Sequence, residues 1–485
     1  MKLSDLLFKN EYIFSEADPD TEITKITLSP RDIDSTTLLI ILNSEKVEDI
    51  CNLPCAPAVT VCGIDVILPD IFPSIRVENP RLAMAFIYYR FEKVKLDNIK
   101  LIGITGTNGK TSTALFIKNI LSDKGQNVGF IGTGKIEINN KSIEEKYYSM
   151  TTPDPSLLYR TLKQMEDAGC DTIVMEVSSH ALALDKLAPL DFDYGVFTNL
   201  SGEHLDFHKT EEEYFLSKRK LIKNCKKAVI NIDDSYGRML YNEFGKKSIS
   251  AGIIWRGDVW AGSVKNKAFS GSTYLYHAKD FHFKTKISIP GSYNIYNAML
   301  ATTVCIDLGI KPCEVKDAIE KVRTIPGRFE IIKDDVTVVI DYAHTHVAFY
   351  NIMKELNGIK GNGRLCVVFG CGGERDKNKR PIMAEIAEKY ADKIIVTTDN
   401  NRKENPKDII SDIIKGFHNK SYEIDENRER AIRTAIITAA AEDVIAVIGK
   451  GCENYSIDKN GYSDFNEKNI INSALKERRT QIKCV

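Results

Sequence analysis

Residues 101–117 read LIGITGTNGKTSTALFI: an apolar run, a glycine-rich turn, then Lys-Thr and a helical pattern. That order predicts a strand feeding a phosphate-holding loop and a helix. Gly103, Gly106 and Gly109 would allow a tight turn and close backbone approach, so that successive amides point at phosphate oxygens and the helix dipole adds to them. Lys110 would supply a mobile charge for the outer phosphates, and the Thr111 hydroxyl is placed to ligate Mg²⁺. The strict P-loop pattern GxxxxGK[ST] would put its first glycine where Ile104 stands, so the match is to a variant, GxxGxxGKT. Glycine-rich turns that bind no phosphate are common in α/β proteins. Gly-Lys-Thr at the helix entrance, with Ala114, Leu115, Ile117, Ile120 and Leu121 patterned behind it, argues against that alternative.

The whole chain bounds the answer. Its 485 residues exceed one hydrophobic core and predict two to four domains. Lys+Arg 66 against Asp+Glu 67 leaves a formal net charge of -1, so no global field draws it to nucleic acid or an anionic membrane. There are 11 cysteines, and the opening MKLSDLLFKNE has no secretory apolar core, so a reducing cytoplasmic location is expected. Cys51, Cys55 and Cys62 fit no common zinc spacing and read as buried small apolar residues. No apolar run reaches the length of a membrane span.

In chain order, the first hundred residues predict a small α/β unit, with strands at 36–42 and 58–67 and a helix over 81–91 entered through Asn79 and Pro80. From about 98 to 327, apolar strands alternate with helices, as in a largely parallel sheet. Two strands end in polar residues: Thr172–Met175 runs into Glu176, and Gly195–Phe197 into Thr198-Asn199. Ligands bind beyond the carboxyl ends of such strands, which makes Glu176 a candidate for holding Mg²⁺ beside Thr111. His204 and His208 lie four apart, but the segment opens in a loop and lacks the zincin glutamate pattern, so zinc is not expected. Glu211–Lys220 reads as an amphipathic surface helix. Asn294 and Asn297 share a helical face and could read a base edge, although N-capping explains Asn294 equally well. Beyond Ile325-Pro326-Gly327, strands at 336–340, 365–370, 393–398 and 444–449 predict a second doubly wound sheet. Four polar clusters stand at its strand ends, as on a binding rim.

These motifs together resemble the Mur ligase family, most nearly its third-amino-acid-adding branch. The residues that carry the likeness are TGTNGKTS (105–112), TTPDP (151–155), MEVSSHAL (175–182), FTNLSGEHLDFH (197–208), YFLSK (214–218), GSYNIYNAMLA (291–301), PGRFE (326–330), DYAHT (341–345), FGCGGERDKNKRP (369–381), DNNR (399–402) and GKGCENY (449–455). The resemblance implies three α/β domains: a divergent UDP-substrate-binding domain at 1–97, a P-loop ATPase domain at 98–327 and a Rossmann-like amino-acid domain at 328–485. It implies nucleotide contacts from Gly106, Thr107, Asn108, Gly109, Lys110, Thr111, Ser112, Asn294, Asn297, Arg328, Asp341 and His344. It carries Glu176 and His204 over as metal ligands and Lys218 as a lysine carbamylated by CO₂ that supports a second Mg²⁺, with Lys110 beside them in catalysis. Thr151, Thr152, Ser178 and Lys186 become contacts to the muramoyl peptide. Arg375, Asn400, Arg402, Gly449 and Glu453 match positions that grip meso-diaminopimelate.

The implied activity is ATP-dependent amide bond formation through an acyl phosphate, adding meso-diaminopimelate to UDP-MurNAc-L-Ala-D-Glu in peptidoglycan precursor synthesis. The implied protein is a monomer that meets small-molecule substrates, a nucleotide-sugar peptide and an amino acid. The chain departs from the family pattern chiefly in its first half. Leu28-Ser29-Pro30-Arg31 stands where an Asp-Ser-Arg signature belongs, LNSEKVEDI replaces a glycine-rich segment, and Leu184 and Lys186 replace Gln and Arg. Further on, Asn401 stands for a proline, His346 for another, and Cys452 for a histidine. Two alternatives follow: a paralogue joining an amino acid to a different carboxylate acceptor, and a non-catalytic nucleotide-binding partner in cell-wall assembly.

Overall fold

Apolar runs without polar alternation make strands buried on both faces. The computed structural model, which describes residues 1–43, 55–68, 71–143 and 150–483, is built on such strands. The fold class expected from the sequence is borne out: the chain is α/β, with sheets that are mostly parallel. It divides into two units, Met1–Thr105 with Gly125–Val196 and Ser217–Ala228, and Gly106–Lys124 with Phe197–Leu216 and Val229–Val485.

In the first unit, Thr37–Ile40 and Val59–Gly63 are buried at every position and pair in parallel. Lys25–Thr27 and Ser74–Val77 flank them, also parallel, and Phe14–Ser15 closes the five-stranded sheet antiparallel to Ser74–Val77. The helix spans Pro80–Phe91. Asn79 Oδ1 accepts from the Arg81 and Leu82 amides, and Pro80 occupies a first-turn place where a missing N–H costs nothing. Cys62 is buried as expected, but Cys55 is exposed, because it stands in the loop ahead of Val59–Gly63 rather than in the strand. Cys51 and most of LNSEKVEDI lie outside the described residues.

The same unit holds Lys100–Thr105, parallel to Thr172–Glu176, which is parallel in turn to Val128–Gly132. Gly103 lies within this strand, not in the turn. A Cβ there would stand 2.8 Å from the Phe192 ring and 3.0 Å from Leu221, so this glycine serves packing and not phosphate approach.

In the second unit, the helix Lys110–Asp123 packs along the helix Ser292–Asp307. The segment before residue 327 is less uniformly parallel than its sequence predicts: Val259–Asn266, Ser272–His277 and His282–Ile287 form an antiparallel meander. The connections between these strands are far shorter than the dozen or so residues a parallel crossover needs, so only hairpins are possible. The later sheet runs in the order Glu330–Lys333, Thr337–Asp341, Val444–Ile448, Leu365–Phe369, Lys393–Thr397, Glu423–Asp425, and only Glu330–Lys333 is antiparallel. Its parallel strands open onto one rim, where the loops at 341–345, 370–376, 398–405 and 449–455 gather. Among the described residues no helix is long and apolar enough to cross a membrane.

Candidate active site

The loop 106–109 needs glycine at two places. Gly106 has φ 149 and a Cβ there would meet Thr198 Oγ1 at 1.9 Å; Gly109 has φ 86 and its Cβ would meet Asn297 Oδ1 at 2.3 Å. The loop is held from below by Thr198 and Asn199. Thr198 Oγ1 and Asn199 Nδ2 donate to the Asn108 carbonyl at 2.6 and 3.0 Å, the Asn108 amide donates to Asn199 Oδ1 at 3.0 Å, and the Thr107 amide donates to the Asn199 carbonyl at 2.8 Å. Thr198 and Asn199 stand out in the sequence only as polar residues ending a buried strand; their role in shaping the loop is a finding of the structure. Thr107 Oγ1 lies 3.1 Å from the Tyr214 hydroxyl. Lys110 Nζ donates to the Gly106 and Thr107 carbonyls at 2.9 and 2.8 Å, which keeps its charge over the loop. Ser112 is buried one turn into the helix.

Asn294 is not an N-cap, because the helix begins at Ser292 with Gly291 in the cap position. Asn294 Nδ2 donates to the Pro290 carbonyl at 2.6 Å, and Asn297 Nδ2 donates to Asn294 Oδ1 at 3.1 Å. This chain of buried amides puts the Asn297 carbonyl directly beneath Gly109.

In the first unit, Glu176 is fully buried, so it is no solvated strand-end carboxylate. Its Oε1 accepts from the Thr133 amide at 3.0 Å and its Oε2 from the Thr133 hydroxyl at 3.3 Å, while a Cβ on Gly132 would come within 2.4 Å of Oε1. Thr151 Oγ1 is 3.2 Å from Thr133 Oγ1, and Thr152 Oγ1 donates to the Glu176 carbonyl at 2.9 Å and accepts from the Ser178 amide at 3.0 Å. Ser178 caps the short helix Ser179–Ala183. Lys186 pairs with Asp154 at 2.5 Å. Lys218 lies in the helix Glu211–Asn224 and is 1% exposed.

The second unit places Arg328 against the phosphate loop: its Nη2 donates to Thr111 Oγ1 at 2.9 Å. Asp341 stabilises the turn that presents Arg328, accepting from the Phe329 amide at 2.7 Å and the Ala343 amide at 2.8 Å; Phe329 has φ 45, a strained value for a non-glycine residue. Burial raises the Asp341 carboxyl, opposed by Arg328 and these two amides. His344 shares Nδ1 with the Tyr342 carbonyl at 2.9 Å, and its Nε2 lies 3.6 Å from Glu203 Oε1. Desolvation, then Lys379, lowers the His344 pKa, so the ring is neutral near pH 7 with Nδ1 as its donor. His204 has φ 58 and its Nε2 lies 4.0 Å from Glu203 Oε2.

On the rim of the later sheet, charges of both signs meet. Arg402, with φ 54, donates through Nη1 to the Gly373 carbonyl at 2.8 Å. Desolvation and then Arg375 lower its pKa, and the Arg402 Nη1 and the Arg375 Cγ both approach Gly372. Asn400 Nδ2 donates to Glu453 Oε2 at 2.8 Å, while Asn400 Oδ1 accepts from Lys450 Nζ at 2.6 Å and from the Ile457 amide at 3.0 Å. That fixes which way the Asn400 amide faces. Burial, then Asp399, raises the Glu453 carboxyl. Gly449, with φ 126, would place a Cβ 3.0 Å from Asp399 Oδ2. Two guanidiniums and a carboxylate in one corner suit a ligand end that carries both a carboxylate and an ammonium.

Comparison with known proteins agrees. Residues 104–305 match the Mur ligase middle domain, and residues 327–451 match the Mur ligase glutamate ligase domain. The UDP-N-acetylmuramoyl-L-alanyl-D-glutamate–2,6-diaminopimelate ligase 1 of Clostridium acetobutylicum is 41% identical over 426 residues, covering 86% of this chain and 87% of that relative. The corresponding ligase of Clostridium tetani is 36% identical over 491 residues, covering 98% and 100%. Among solved structures, a UDP-N-acetylmuramoyl-L-alanyl-D-glutamate–2,6-diaminopimelate ligase superposes with a TM-score of 0.68 at 25% identity, over 99% of both chains.

Proposed function

The chain belongs to the Mur ligase family, and from that premise we propose that it joins meso-diaminopimelate to UDP-MurNAc-L-Ala-D-Glu, with ATP as the activating substrate, in the cytoplasmic synthesis of peptidoglycan precursor. The three domains proposed are 1–97 for the nucleotide-sugar end, 98–327 for ATP and 328–485 for the amino acid. The observation that carries the choice of amino acid is the corner formed by Arg375, Arg402, Asn400 and Glu453. A distal carboxylate would engage the guanidiniums, and a distal ammonium would engage Glu453. A monoamino acid without the distal carboxylate gains nothing from Arg402.

The acceptor carboxylate attacks the γ-phosphorus, ADP leaves, and an acyl phosphate forms; the amine then adds to the acyl carbon and the tetrahedral species expels phosphate. Lys110 and the amides of Gly106–Ser112 hold the phosphates, with Asn294 and Asn297 beneath the loop and Arg328, Asp341 and His344 on its flank. With Nδ1–H given to the Tyr342 carbonyl, neutral His344 leaves Nε2 as an acceptor that adds no charge. The Thr111 hydroxyl and the Glu176 carboxylate are hard oxygen donors of the kind Mg²⁺ takes, and His204 and a carbamate on Lys218 complete the proposed ligand set. When bound there, Mg²⁺ would neutralise charge on the phosphates. A carbamate on buried Lys218 would turn a cation into an anion. Thr151, Thr152, Ser178 and Lys186 are proposed to bind the muramoyl peptide.

One observation favours a second reading, a family member acting on a different carboxylate acceptor. Among the described residues, the cavity of about 370 Å³ beside Val59–Gly63 has Asn43, Asp65 and Glu78 as its polar lining and no cation, and two carboxylates there would repel a diphosphate. Phosphate release with ATP, Mg²⁺, diaminopimelate and UDP-MurNAc-L-Ala-D-Glu decides between them. Release dependent on all components and lost in Lys110→Ala supports the first reading. No release from that acceptor, with release from another acyl acceptor, supports the second.

A further inference from the structure

Tyr342 follows the last residue of the strand Thr337–Asp341 and faces the rim. Its carbonyl is held by His344 Nδ1 at 2.9 Å, and Gly451, with φ 56, lies so close that a Cβ there would stand 2.7 Å from Tyr342 Cβ. The Tyr342 hydroxyl donates to Glu453 Oε1 at 3.0 Å, while Oε2 accepts from Asn400 Nδ2 at 2.8 Å and lies 3.8 Å from Lys450 Nζ. The face of the Tyr342 ring receives the Arg328 guanidinium, whose carbon lies 4.3 Å from the ring centre. Arg328 in turn donates to Thr111 Oγ1. One side chain thus touches both the carboxylate of the amino-acid corner and the cation that reaches the phosphate loop.

We propose that Tyr342 is a positioning residue that sets Glu453 for the ammonium of the incoming diamino acid and couples that corner, through the stacked Arg328, to occupancy of the nucleotide loop. The proposal rests on the reading given under Proposed function. Without the hydroxyl, Glu453 Oε1 loses its donor and the carboxylate can turn away from the ligand. Without the ring, Arg328 loses the surface against which it is oriented, and nucleotide binding at Thr111 no longer changes what the amino acid meets. Reciprocity requires that the amino acid alter nucleotide affinity by the same factor.

Two variants separate the parts. Tyr342→Phe keeps the ring and removes the hydroxyl; Tyr342→Leu removes both. Calorimetry measures the Kd of diaminopimelate with and without Mg·ADP, and steady-state kinetics give kcat and KM for each substrate. The expected result for Tyr342→Phe is about a tenfold or greater rise in the diaminopimelate KM, the scale of a lost hydrogen bond to a charged group, with kcat and the ATP KM within about twofold. Its nucleotide coupling factor stays at the wild-type value. In Tyr342→Leu the coupling factor falls to one. An unchanged diaminopimelate Kd in Tyr342→Phe, or a wild-type coupling factor in Tyr342→Leu, overturns the proposal. Should the leucine variant fail to fold, the phenylalanine variant decides the role of the hydroxyl, and the wild-type coupling factor decides the coupling: a factor of one in the wild-type protein overturns it. A wild-type protein that binds nucleotide but no diaminopimelate sinks the substrate reading itself; one that binds both while the variants match it sinks only the role of Tyr342.

Discussion

Arg380 offers the sharpest test of how the amino-acid corner is held. It is fully buried at the start of the helix Lys379–Tyr390, where it donates to both oxygens of Glu404 at 2.7 and 2.8 Å and to Asp412 at 2.9 Å. Glu404 also accepts from the Glu374 amide at 3.0 Å, so this guanidinium ties the 370–376 loop to the 398–405 loop. The pair pins Glu374 and Arg402, which have φ 52 and 54, and it does so although Asn401 gives the turn none of the rigidity a proline would. Hydrogen bonding to Arg380 is the largest cause that takes the Glu404 carboxyl from 4.5 down to about 2. At about 1.4 kcal/mol per pKa unit that drop corresponds to at most ~3.5 kcal/mol, less what solvent screens from Glu404. Stranding the partners of a buried ion pair costs about 3–5 kcal/mol. Glu404 and Asp412 both reach solvent in part, so Arg380→Met should destabilise the protein by about 2–3 kcal/mol near pH 7. Because the folded Glu404 pKa is depressed, its contribution is present in full above the ordinary carboxylate range and is lost as pH falls toward 2. The gap between wild type and variant should therefore narrow from pH 6 to pH 3. Urea unfolding followed by circular dichroism across that range measures it, and the diaminopimelate KM should rise several-fold in the variant. A loss under about 1 kcal/mol that does not vary with pH would refute the reasoning.

Three further outcomes follow from the site. Gly109→Ala should abolish nucleotide binding by calorimetry, and adding Asn297→Ala should restore only part of it, since the clash is relieved but φ 86 still strains a non-glycine residue; full restoration would show that φ is irrelevant. Lys218→Ala should remove most phosphate release and recover a fraction of it with millimolar acetate or formate, whereas full activity without rescue would exclude a carbamate there. Arg402→Ala should cut kcat/KM for diaminopimelate by about 100-fold, the scale of a bidentate charged contact, and for lysine by far less; equal losses would contradict the assignment of the distal carboxylate.

Much of this was legible in the sequence, for physical reasons that differ by region. The later sheet could be drawn from VTVVI, LCVVFG, KIIVTT and VIAVIG because parallel strands buried on both faces lose polar alternation. Asn79-Pro80 announced its helix because capping chemistry is local. The meander at 259–287 is not legible in the sequence because its strands alternate weakly and pairing sense is decided by connection length, not by the strands. Gly103 looked like part of the turn, yet its neighbours are Phe192 and Leu221, far away in sequence. The same limit hid Thr198, Asn199, Arg380 and Tyr342, whose roles exist only once distant segments meet. Family resemblance supplied what residue patterns alone do not carry, above all the modification expected at Lys218.

The central claim, activation of a carboxylate by phosphoryl transfer, is tested most directly by isotope transfer. UDP-MurNAc-L-Ala-D-Glu labelled with ¹⁸O in the reacting carboxylate, turned over with ATP, Mg²⁺ and diaminopimelate, should release phosphate carrying one ¹⁸O, because the oxygen that attacks phosphorus leaves with it. Phosphate free of label, alongside formation of the amide, would contradict the acyl-phosphate account.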